Sequence, residues 1–179
     1  MSLREDPRVL KFVAAARKFR EVIDREGLRG KEFIRALLPP LAELYGAALD
    51  LEDVRPVDSP DHDFAMSHEQ WDALFRQLGE RIGPDACYWT MFDPTEPDQH
   101  DDNPVAGHLG DDLADIYRDI VPALKAWEGG DDAIAASAVD SCRLTFSFHW
   151  GAHAVSALRT LHWIEMKKGW GGPLRGQIG

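Results

Sequence analysis

Cations are scarce in this chain of 179 residues: Lys and Arg total 20 against 31 Asp and Glu, for a formal net charge of -11. That deficit argues against a nucleic-acid binder, which needs an excess of cations to displace phosphate counterions. It argues equally against a protein held on anionic lipid by basic residues. Cysteine is almost missing, with Cys87 and Cys142 alone, too few for a disulfide framework and in keeping with a reducing cytoplasm. Long apolar runs are missing too. The longest stretch without a formal charge, Leu144 to Leu158, contains His149 and His153 and falls short of the roughly 20 apolar residues of a membrane span. Acids at Glu5 and Asp6 stand where the apolar part of a secretory signal would begin. There is no Gly-rich phosphate loop, no Gly-x-Ser-x-Gly elbow, no zincin HExxH and no Glu-x-x-Glu pair.

What is present is a globular composition, 44% hydrophobic and 28% charged, at a length suited to one domain. Helical periodicity dominates it. Asp6 is a good N-cap with Pro7 at the first helical position, followed by Val9, Phe12, Val13, Ala16, Phe19 and Ile23 on one face. A second pattern runs from Lys31 through Leu44 and Ala48. Pro39-Pro40 interrupts it, predicting two short helices or one kinked helix. After an acidic connector over 50–66, Ser67-His68-Glu69-Gln70 reads as a capping box opening a helix that Gly83-Pro84 closes.

The stretch 83–107 is less regular. Its aromatic part, Cys87 to Phe92, reads as a short strand or a packed loop; its acidic part, Asp93 to Pro104, reads as mobile. Helices follow over about Leu109–Glu128 and about Asp131–Lys168, and a Gly-rich tail, 169–179, reads as flexible. The prediction is an all-α domain over 1–168, a bundle of five or six helices with a long C-terminal one.

The last two helices carry the residues of interest. At about 100° per residue, His149 and His153 lie about 40° apart, with His153 inside the apolar stripe and His149 on its edge. A second apolar strip, Leu144, Phe148, Val155 and Met166, lies opposite and predicts a central helix. On the preceding helix His108, Asp112, Asp115 and Asp119 share one face. Antiparallel packing across Gly129-Gly130 brings the two faces together. His149, His153, Asp112 and Asp115 can then hold a divalent metal such as Zn or Mn, because imidazole nitrogen and carboxylate oxygen both present lone pairs to it. The aromatic stretch around Trp89 is expected to close over them.

The same four residues can also satisfy one another through hydrogen bonds, with no metal present. The run from Asp93 to Asp119, nine acids with Arg118 as its one Lys or Arg, is the kind of surface that a protein partner reads. The alternative to the site is therefore a non-enzymatic module that binds another protein or forms a homodimer.

Three stretches together resemble the DUF5063 family, a domain of unknown function. They are Leu37-Leu38-Pro39-Pro40-Leu41-Ala42-Glu43-Leu44-Tyr45, Asp111-Asp112-Leu113-Ala114-Asp115-Ile116-Tyr117-Arg118-Asp119, and Phe146-Ser147-Phe148-His149-Trp150-Gly151-Ala152-His153-Ala154-Val155. The likeness extends over about residues 9 to 164. It implies a small bacterial all-α protein and brings no activity, cofactor or catalytic residue with it.

Overall fold

The computed structural model describes residues 2–51, 53, 54, 62, 64, 66–91 and 104–169. Helix α1, Pro7–Asp24, begins where Asp6 accepts the amide of Arg8 with Pro7 behind it, an N-cap that satisfies a donor the helix cannot. Its far end is closed from a distance. The buried guanidinium of Arg81 donates to the carbonyls of Val22, Ile23, Arg25 and Leu28 and lies 3.9 Å above the ring of Phe33. A cation at a helix C-terminus meets both the orphan carbonyls and the dipole.

Helix α2, Gly30–Leu49, continues through Pro39 and Pro40 as one helix, which excludes the two separate short helices of the two expected arrangements. Each proline removes one amide donor. Phe33, Ile34 and Leu37 before the pair and Leu41, Leu44 and Ala48 after it are all buried, so packing on both sides outweighs the lost bonds. Helix α3, His68–Ile82, opens with the expected capping box between Ser67 and Gln70 and ends at Gly83, whose φ of 78° lies in the region that favours glycine.

Within 83–107 the aromatic part forms the short strand that was one of its two expected readings, and a second strand, Val105–His108, pairs with it. A 3-10 turn, Gly83–Asp85, leads into strand β1, Cys87–Thr90, which pairs antiparallel with β2, Val105–His108, in the register Cys87↔His108 to Thr90↔Val105. The ring of Tyr88 lies so close to Gly107 that a Cβ there would come within 2.4 Å of it. Among the described residues the architecture remains a helical bundle with this one small ribbon. The mobility expected of the acidic part of the loop and of the C-terminal tail concerns 92–103 and 170–179, which lie outside the described residues, as does most of the 50–66 connector.

Helix α4, Leu109–Gly129, is the centre of the molecule. It packs against α1, α3, α5, α6 and β2, and Leu113, Ile116, Ile120 and Leu124 along it are buried. The chain then turns at Gly130, where any Cβ would collide with Ile134 and the carbonyl of Ala126. Arg4 ties the turn down by donating to the carbonyls of Trp127 and Gly130. The return is α5, Asp132–Thr145, a π-helical turn, Phe146–Trp150, and α6, Gly151–Gly169.

The expected long C-terminal helix is thus present with a widened turn in its middle. Its second apolar strip does not make it the central helix. Leu144, Phe148, Val155 and Met166 face solvent, Phe148 with 73% of its surface exposed, because α4 and α2 occupy the other side. One apolar core extends from Val9 to Leu161. Among the described residues no helix is long and apolar enough to cross a membrane.

Candidate functional site

Antiparallel packing of α4 against the π turn and α6 sets the acids of one beside the histidines of the other. His149 Nδ1 lies 2.7 Å from Asp119 Oδ2, and His153 Nδ1 lies 2.9 Å from Asp112 Oδ1. The two imidazole rings stand 5.0 Å apart, edge to face. Asp112 and Asp115 are buried, whereas the histidines are alike in keeping 29% and 26% of their side chains exposed. His153 is therefore less buried than its place in the apolar stripe predicted. It leans out of the stripe toward the acids of α4.

The partners fix the protons. Nε2 of His149 is 3.1 Å from Nη2 of Arg118, and a guanidinium only donates. Nε2 must therefore carry the lone pair, and Nδ1 the proton that Asp119 accepts. Arg118 Nη2 also lies 2.9 Å from Asp115 Oδ1, which accepts the indole N–H of Trp71 at 2.9 Å as well. The other oxygen of Asp115 faces His153 Nε2 at 3.4 Å, longer than a good hydrogen bond. Asp115 and the two histidines offer one ligand atom each, all within 4.8 Å of one another. Asp111, Asp112 and His153 form a second such group.

Burial works against a charged His153, but its hydrogen bond to Asp112 and the charges of Asp112, Asp115 and Asp111 outweigh it and raise its pKa. Burial raises the pKa of Asp111, and its carboxylate neighbours Asp115 and Asp112 push the same way. The site is rich in negative charge.

All four residues singled out in the sequence come together, but in unequal positions. Asp112 sits on the Nδ1 side of His153, behind the ring, while Asp115 lies on the side where the Nε2 atoms face. Asp119 and Arg118 were not assigned to the site, although Asp119 sits on the same helical face, four residues after Asp115. The aromatic stretch does reach the site, through Tyr88 and not through Trp89. The Tyr88 hydroxyl donates to Asp112 Oδ2 at 2.6 Å, and burial together with that carboxylate raises its pKa. Trp89, on the opposite face of the strand, is 70% exposed, as side chains alternating along a strand require.

Beyond Tyr88 a cleft of about 940 Å³ opens between β1 and α6, with Trp89, Met91, Val155, Ser156, Arg159 and Trp163 in its walls. Tyr88 lines it, and His149 and His153 do not. On the far side of the site, His68, Trp71 and Phe75 stack along α3, and Phe75 meets His108 at 5.0 Å.

Comparison with known proteins bears on the fold and the family. The family model described as DUF5063, a domain of unknown function, matches residues 4–167. No curated protein matches. The crystal structure of protein BF1032 from Bacteroides fragilis is similar, with a TM-score of 0.74 at 21% identity over 97% of this chain and 98% of that one. At that identity the likeness concerns the fold alone.

Proposed function

The chain belongs to the DUF5063 family, and for it we propose a binding site for a divalent transition metal between α4 and α6. The ligands are His149 Nε2, His153 Nε2 and the carboxylate of Asp115; Asp112 and Asp119 orient the rings. The observation that carries this reading is that each imidazole is held at Nδ1 by a carboxylate outside the ligand set, at 2.7 and 2.9 Å. Metal-binding histidines are characteristically backed in this way, which fixes the tautomer and makes the other nitrogen more basic. Two imidazoles and one carboxylate suit Zn²⁺, Mn²⁺ or Fe²⁺ and leave coordination positions open. A cation held there supplies Lewis acidity to a water or to a substrate oxygen. The free thiols of Cys87 and Cys142 support a reducing cytoplasm as its place of work.

The test is elemental analysis of untagged protein purified without chelator, followed by titration with Zn²⁺ and Mn²⁺. We expect close to one metal per chain, lost in the His149→Ala/His153→Ala double variant. A ligand at about 100 times its Kd adds about 2.7 kcal/mol of stability, so the melting temperature rises with metal in the wild type only. Absence of metal, with no shift in melting by either ion, overturns the reading.

One observation favours a second reading, self-association. Leu144, Phe148 and Val155 form an exposed apolar strip along a single helical run, more than isolated surface residues need explain.

A further inference from the structure

We infer that Arg118 is the resident cation of this site and that a divalent metal enters only by displacing its guanidinium. The inference rests on the metal reading and concerns how that site is controlled. Nη2 of Arg118 bridges His149 Nε2 at 3.1 Å and Asp115 Oδ1 at 2.9 Å, atoms of two of the three ligand residues. A carboxylate can share its oxygens between partners, but an imidazole nitrogen has one in-plane lone pair. His149 therefore serves either the guanidinium or a metal. The two cations also repel each other across the space they would share.

Arg118 is placed to leave. Its side chain is 35% exposed, and its remaining contact, Nε to Asp119 Oδ1, is 3.7 Å long, so it can swing to solvent without moving α4. Without it, among the described residues, no arginine or lysine would be paired with Asp111, Asp112, Asp115 or Asp119 in the metal-free site. The guanidinium thus holds the empty site together and lowers its affinity for metal.

The test compares Zn²⁺ binding by calorimetry in the wild type, Arg118→Met and Arg118→Lys. Releasing one charge-assisted hydrogen bond predicts about ten- to hundred-fold tighter binding in Arg118→Met. That variant should also melt lower than wild type without metal, and Arg118→Lys should fall between the two. Equal or weaker binding by Arg118→Met, when the wild type binds, overturns the inference and leaves the metal reading intact. No binding by either overturns both. A measurement on the wild type guards against a variant that does not fold: the Arg118 Nε–Hε resonance should move on adding Zn²⁺, and a resonance unchanged at saturating metal overturns the displacement.

Discussion

At the scale of the residue, one side chain often does two jobs. Asp6 caps α1 and also pairs with Arg8, whose guanidinium lies 3.0 and 2.6 Å from its two oxygens. That hydrogen bond is the main reason its carboxyl pKa is lowered from 3.8 to about 2. A carboxyl more acidic folded than unfolded stabilises the fold above its unfolded pKa, and the contribution is lost as pH falls toward the folded value. Asp6→Asn keeps a capping side chain but removes the charge. We expect it to cost about 1 kcal/mol at pH 6, a modest figure because Arg8 is exposed and solvent screens the pair. In thermal melts the gap to wild type should close between about pH 4 and pH 2; a gap that stays constant would mean that the charge plays no part. Asp6 was readable from the sequence because its cap is local. Arg81 was not, since the carbonyls that it serves lie more than fifty positions away and no spacing rule connects them.

At the scale of the element, the π turn separates what periodicity can and cannot reveal. The helices came from their 3.6-residue stripes, and along α4 Leu113, Ile116, Ile120 and Leu124 are buried at that spacing. Nothing in Phe146-Ser147-Phe148-His149-Trp150 distinguishes a turn of wider pitch, yet π turns recur at functional sites, and this one carries His149. Its structural mark is Gly151. A Cβ there would fall 2.3 Å from the carbonyl oxygen of Phe146 and 3.1 Å from its ring. In a regular helix Gly→Ala gains about 1 kcal/mol. Gly151→Ala should instead lose about 1–3 kcal/mol, as overpacking does. Gly46→Ala in α2, where nothing lies within 4 Å, should be neutral or stabilising. Urea denaturation of both variants measures the contrast, and two gains of equal size would sink the argument.

At the scale of the whole molecule, charge and apolar surface act against each other. A net charge of -11 keeps copies apart at low salt, whereas the strip around Phe148 favours contact between them. If the strip is a homodimer surface, sedimentation should show the mass rising toward double as salt is raised and repulsion screened, and Phe148→Glu should remain monomeric throughout. A wild type that is monomeric at every salt concentration leaves the strip without that role. The sequence pattern did identify the strip; its assignment to the interior failed because periodicity reports how many apolar faces a helix has and not how many neighbours are available to cover them.

The tight turn at Gly130 has a consequence for how the chain can vary. Asp112, Asp115 and Asp119 are set out backward along α4 from that turn, and His149 and His153 forward from it, so the turn works as the common zero of two rulers. Adding one residue to either arm between the turn and the site would advance its markings by about 1.5 Å and rotate them by about 100°, carrying imidazoles and carboxylates past each other. Sequence length between Asp119 and His149 is therefore a fixed quantity in this protein, however freely the residues that fill it may change.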